Sequence, residues 1–291
     1  MKALVGIDTH GAYLPALDLL AALKFNKPVV TLLHAVDLNY PLGPTDPHTE
    51  AEFSKVVQNL GLSALDRAAD EACGKGLRAR TKMVFGRAAD CMIQEEKAEQ
   101  PDLIAIGATH CGKSSKTYLD SATSALALGA TSSLLVAKGD HGGKRKKTFT
   151  AVFAVDHSAH TDRVVDKLIE LKPQGIDSLH LLSAYEIDDD IAKATRLNLP
   201  MLGGDASRWL EDEFEKRTAI VSARLKEAGF NVTSAVVEGE PNAAIEAHMR
   251  AADLLIIGSV GSSTEGSGRR IGSVGLHQVG FEPYPVLMLR A

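Results

Sequence analysis

The chain has 291 residues, 45% of them hydrophobic and 24% charged, a balance that excludes both an intrinsically disordered polymer and a coiled coil. A formal charge of −5 and a pI near 6.1 leave no overall basic field to draw in nucleic acid by counterion release. At about 100 to 200 residues per domain, the length favours two domains, each able to bury its own core.

The first apolar run, within Met1 to Asp8, is broken by Gly6 and stopped by Asp8, too short for a signal-peptide core. No other run approaches the roughly 18 residues that span a bilayer, so a cytoplasmic protein with no membrane contact is expected. The strand Lys2–Asp8 leads into an amphipathic helix from Tyr13 to Phe25 and a second strand over Pro28–Asp37. A long helix from Ala51 to Gly76 follows, then a third strand ending at Val84-Phe85-Gly86 and a short helix. The fourth strand is Asp102–Gly107 and the fifth Ser132–Lys138. The segment 139–147, Gly-Asp-His-Gly-Gly-Lys-Arg-Lys-Lys, is glycine-rich and basic; it reads as a solvated linker rather than an anion patch.

The same order then repeats. Thr150–Ser158 matches Lys2–His10, again apolar and again reaching Asp, at Asp156. A helix carries Val164, Val165, Leu168 and Ile169 at helical spacing, and a second strand covers Ser178–Glu186. The long helix from Ser207 to Gly229 aligns Leu210, Phe214, Val221 and Leu225 in a packing stripe that also leaves the single Trp209 to pack. Gly76 and Gly229 fall where these long helices stop. Strands ending at Glu238-Gly239, over Asp253–Gly258 and over Tyr284–Arg290 complete the set. Strand alternating with helix specifies an α/β fold of two tandem doubly wound parallel-sheet domains, 1–138 and 148–291. The fifth strands lie at sheet edges, and exposed edges seek a partner. An intramolecular pseudo-dimer is therefore expected, with a homo-oligomer as a further form.

Chemistry concentrates after the second half's fourth strand. Gly258-Ser259-Val260-Gly261 is followed by ten residues, Ser262 to Ile271, and then Gly272-Ser273-Val274-Gly275. Glycines bring bare backbone N–H groups close to a phosphate, and the following helix adds its positive end. Ser273 supplies a hydroxyl, and Arg269 and Arg270 supply cations. Asp156 ends strand one at the same sheet edge, where a carboxylate accepts from a ribose hydroxyl or an adenine amino group, and Ala184 ends strand two beside it. Glycine turns between strand and helix also occur purely for close packing, so this spacing by itself leaves that reading open.

These residues, together with Gly239-Glu240-Pro241 after strand three, resemble the universal stress protein family, in two copies over nearly the whole chain. The resemblance implies the adenine-nucleotide α-hydrolase-like fold of that family. It also implies binding of ATP or AMP, with Mg²⁺ as an accompanying ion, at Asp156, Ala184, Gly258, Gly261, Gly272, Ser273 and Val274. The family's ATP-binding members place nine residues where this chain has ten. The first half keeps the nine-residue spacing but reads Gly107-Ala108-Thr109-His110 and then Asp120-Ser121, losing two glycines and setting a carboxylate where a phosphate would lie. That half is expected not to bind ATP in the family manner. The expected role is a stress-response regulatory or binding protein; a ligand-free interaction protein and a slow ATPase are the alternatives. Enzymatic turnover has little support, since neither strand-one turn carries a Ser-Gly-Gly phosphate loop.

Other constellations carry less. His110-Cys111 near Asp120 lacks further ligands at metal spacing, and Asp156-His157-Ser158 are consecutive, which no nucleophile–base–orienter geometry allows. His34 and His180 sit on strands as packing residues. Three cysteines, Cys73, Cys91 and Cys111, all in the first half, are expected to be reduced.

Overall fold

A computed structural model describes residues 1–38, 47–108, 121–139, 148–186, 206–260 and 271–291. The first half runs β1 (Lys2–Gly6), α1 (Leu14–Ala22), β2 (Val29–Val36), α2 (Pro47–Gly74), β3 (Arg78–Phe85), α3 (Ala88–Glu99), β4 (Leu103–Ala108), α4 (Ser121–Gly129), β5 (Ser133–Lys138). The second runs β6 (Phe149–Val155), α5 (Thr161–Leu171), β7 (Ile176–Tyr185), α6 (Ala206–Glu227), β8 (Val232–Glu238), α7 (Pro241–Met249), β9 (Leu254–Gly258), α8 (Ser273–Gly280), β10 (Val286–Leu289). The linker expected at 139–147 lies outside the described residues except for Gly139.

Among the described residues, ten strands form one sheet in the order β3-β2-β1-β4-β5-β10-β9-β6-β7-β8. Every pair within a half is parallel. Only the seam is antiparallel, with Val286 opposite Val136, Leu287 opposite Leu135 and Met288 opposite Leu134. The two fifth strands thus satisfy each other's edge hydrogen bonds, leaving β3 and β8 as outer edges. Strands near the seam are covered on both faces, which their unbroken apolar runs require; β5 and β10 are buried throughout. β3 is largely exposed and β8 partly so, and they carry polar residues such as Arg78, Arg80, Thr233 and Ser234.

Each face of the sheet carries one apolar core, and each core draws on both halves. One joins Leu17, Leu20 and Leu135 to Phe153, Val165 and Leu287. The other joins Ile104, Leu126 and Leu134 to Leu255, Val279 and Met288. The halves are repeats in sequence but share their interior.

The long helices stop for the reason their glycines suggest. Gly76 has φ +77° and Gly229 φ +94°, and the N–H of the next residue reaches back to Ala72 and Leu225 respectively, at 2.9 and 3.0 Å. This left-handed closure satisfies the last carbonyls of each helix. α1 ends sooner than its apolar spacing predicts, at Ala22, because Lys24 and Lys27 take positive φ and turn the chain toward β2.

Candidate functional site

In the second half a cavity of about 620 Å³ opens beyond the carboxyl ends of β6, β7 and β9. It lies where the strand order reverses, between β6 and β9, the crevice in which open α/β sheets receive ligands. Asp156, Ala184, Gly258, Gly272, Ser273 and Val274 all line it. Gly261, Arg269 and Arg270 lie outside the described residues.

Asp156 follows β6 at the exposed rim, where its Oδ1 accepts from the Ser158 N–H at 3.1 Å and the Thr161 hydroxyl at 3.4 Å. Those bonds shape the turn that starts α5. Asp8 does the same in the first half, accepting from the N–H groups of His10 at 2.8 Å and Tyr13 at 3.2 Å. The repeated aspartate therefore has a structural task in both halves.

At the opposite wall the chain enters α8. Gly272 is its N-cap, extended at φ −82°, ψ 167°, and as a glycine it has no side chain with which to cap the helix. Gly272 donates its own N–H to the Ser259 carbonyl at 2.8 Å, which holds the entry against the end of β9. The first N–H groups of a helix have no intrahelical acceptor, and the helix dipole gives this end positive character. Ser273 is exposed beside them.

The remaining walls are residues that sequence reasoning assigned to packing or passed over. Leu210 and Phe214 were a core stripe by spacing, yet both line the cavity. Phe214 stacks at a tilt on Tyr185, ring centroids 5.0 Å apart, and meets the His157 ring edge-on at 5.5 Å. The His157 Nε2 pairs with the Thr218 hydroxyl at 2.9 Å, tying α6 to the turn after β6. An i, i+4 apolar pair on one helix carries no mark distinguishing a pocket wall from a core. Glu240 caps α7, accepting from the Ala243 N–H and the Asn242 side chain, both at 2.8 Å. Burial would raise its carboxyl, but the bonds from Asn242 and Ala243 and the nearby His277 hold it below the usual carboxylate range.

The first half differs at the equivalent place. A Cβ on Gly107 would meet the carbonyl oxygen of Ala12 at 1.6 Å, so the turn after β1 is packed directly on this glycine. A Cβ on Gly258 would meet nothing closer than Val164 Cγ2 at 3.2 Å. Tyr13, at the position of Thr161, is buried in the core. The rest of the first half's loop, with His110, Cys111 and Asp120, lies outside the described residues.

His34 is a buried packing residue, its Nδ1 on the Ile7 carbonyl at 2.8 Å. His180 pairs with the Thr233 hydroxyl at 2.9 Å and stacks on His248 with centroids 5.0 Å apart. Trp209, expected to pack, is 47% exposed, because it lies off the face of α6 that meets the sheet. Cys73 and Cys91 are free thiols, and no cluster of three or more metal-ligating side chains occurs among the described residues. No helix, among the described residues, is long and apolar enough to cross a membrane.

The fold and crevice define an α/β protein built from two doubly wound units on one sheet. The chain belongs to the universal stress protein family, whose pattern matches residues 1–138 and 149–290. Its fold is similar to that of a universal stress protein from Archaeoglobus fulgidus DSM 4304, with 16% identity, a TM-score of 0.69 and coverage of 99% of this chain and 98% of that one. A Pseudomonas aeruginosa UCBPP-PA14 protein described as a universal stress protein has 18% identity and a TM-score of 0.63, covering 99% and 92%. No curated protein matches the chain in sequence.

Proposed function

We propose that the chain is a nucleotide-responsive binding protein that takes one adenine nucleotide, ATP or AMP, in its second half. The observation that carries this is the pairing, in one 620 Å³ cavity, of a helix N-terminus at Gly272 and Ser273 with an apolar and aromatic wall of Leu210, Phe214, Tyr185 and Ala184. The wall suits a purine ring, and the helix end suits phosphate oxygens. Asp156, at the rim between them, is placed for a ribose hydroxyl. Among the described residues, the charged side chains lining the cavity are the carboxylates Asp156, Glu186 and Glu240. They disfavour a bare polyphosphate, so ATP would enter with Mg²⁺.

Binding rather than turnover is the reading the geometry supports. Asp156 Oδ1 and both carboxylate oxygens of Glu240 already accept bonds that shape a turn and a helix start. The first half, its glycine face filled by Ala12, serves as a structural partner in this reading.

Isothermal titration with Mg·ATP, AMP and adenosine, after assay for co-purified nucleotide, tests the proposal. One site per chain is expected, with Ser273→Asp weakening ATP and AMP but sparing adenosine. Absence of binding to all three, or two equal sites per chain, would overturn it.

A further inference from the structure

A basic residue at the end of the fifth strand in each half crosses the seam. Lys138, the last residue of β5, is fully buried, and its Nζ donates to the carbonyls of Gln278 at 2.7 Å and Glu282 at 2.9 Å. Gln278 is in the last turn of α8 and Glu282 just beyond it. Arg290, directly after β10 and 8% exposed, donates from its guanidinium to the carbonyls of Leu126 and Ala127 in the last turn of α4.

This is one relationship made twice. Gly107 pairs with Ala137 on β5 and Gly258 with Leu289 on β10, so Lys138 and Arg290 occupy equivalent places. They are 152 positions apart, as are Leu126 and Gln278. Each half lends a basic side chain to the C-terminal carbonyls of the other's fourth helix, where the dipole is negative.

The two exchanges differ in consequence. The N-terminus of α8 lines the cavity at Gly272 and Ser273, whereas in the first half the Ala12 carbonyl fills the glycine face. Gln278, whose carbonyl receives Lys138, is itself fully buried. Its side chain donates to the Asn242 Oδ1 at 3.0 Å and accepts from the Tyr284 hydroxyl at 2.6 Å. Asn242 lines the cavity and donates to Glu240, which also lines it. A continuous series of hydrogen bonds thus runs from a first-half lysine to two walls of the second-half cavity.

The geometry points to a division of labour in which the first half supplies Lys138 as a positioning residue, holding α8 and Asn242 in the arrangement that shapes the second-half cavity. The inference rests on that cavity being the ligand site, although Lys138 does not line it. Burial pushes the Lys138 ammonium down to about 7, against the pull of Glu282. Amine and ammonium both donate N–H, so removing the nitrogen is a cleaner test than changing pH.

Lys138→Met and Arg290→Met in the full chain, followed by amide hydrogen exchange without ligand and by Mg·ATP titration, separate this role from general loosening of the seam. Lys138→Met should speed exchange over 273–280 by about tenfold and weaken Mg·ATP by about fivefold or more. Arg290→Met should instead speed exchange over 121–129 and leave the affinity within about twofold of the wild type. Unchanged exchange over 273–280 in Lys138→Met, or equal loss of affinity in both variants, overturns the inference. If the wild type binds no nucleotide, only the ligand reading fails, and the exchange data still decide the positioning role. Should Lys138→Met not fold, Gln278→Ala keeps the carbonyl that Lys138 uses and removes the link to Asn242. An unchanged Mg·ATP affinity there would equally overturn the inference.

Discussion

The carbonyl oxygen of Ala12 lies 1.6 Å from where a Cβ on Gly107 would stand, while at Gly258 the nearest atom is a valine methyl at 3.2 Å. Backbone cannot retreat as a side-chain tip can. Gly107→Ala should therefore cost at least the about 1–3 kcal/mol typical of overpacking, and clearly more than Gly258→Ala. Denaturant unfolding of the two variants checks the order; equal midpoints would show that the first-half turn is freely displaced.

Phe214 and Tyr185 form the aromatic wall, with centroids 5.0 Å apart. Losing such a pair costs about 0.5–1.5 kcal/mol beyond area, so Phe214→Ala should weaken AMP and ATP by about three- to tenfold. Adenosine should weaken by the same factor, because in the proposed reading the wall takes the base. A loss confined to the phosphorylated ligands in calorimetry would place Phe214 at the wrong end of the cavity.

His157 and His180 are both held below the ordinary imidazole range. For His157 burial is the main cause, followed by Arg217, with Asp156 opposing; for His180 it is burial and then His248. The unfolded chain takes up protons that the fold resists. This contribution is full above the ordinary value of about 6.5 and is lost as pH falls through it toward the lower folded values. Urea midpoints should drop between pH 8 and 5, and the drop should shrink in a His157→Asn, His180→Asn double variant. A midpoint that rises on acidification contradicts the assignment.

Leu287 is fully buried and pairs with Leu135 across the seam, in a core that draws on both halves. Leu287→Ala should cost about 2–5 kcal/mol, the range for buried leucines, and lower the unfolding temperature of the whole chain. Scanning calorimetry of the wild type and the variant should each show one transition. Two resolved transitions, only one of them moved, would mean the halves unfold independently.

Much of the fold was legible because its signals are local. Apolar runs ending at Asp8 and Asp156, helices closed by Gly76 and Gly229, and a glycine pattern after β9 are short-range patterns, and the elements stand where they predict. The pocket walls were less legible. Phe214 and Leu210 have the spacing of a core stripe, and only the placement of α6 over the end of β7 turns that stripe toward a cavity. Trp209 was misjudged for the same reason.

The amino-acid sequence by itself determined that this protein is two repeats of a parallel α/β unit, with the more glycine-rich turn after the fourth strand in the second. Periodicity and glycine placement act within a few residues and need no partner. How closely the turn after the first strand packs on the fourth, and what holds the halves together, were decided only in three dimensions. The Ala12 carbonyl closes on a glycine 95 positions away, and Lys138 and Arg290 cross to helix ends 140 and 163 positions distant. Contacts between residues so far apart leave no periodic trace in the chain; the two basic ones exist because two sheet edges, brought together, bury charge that each half leaves at its rim.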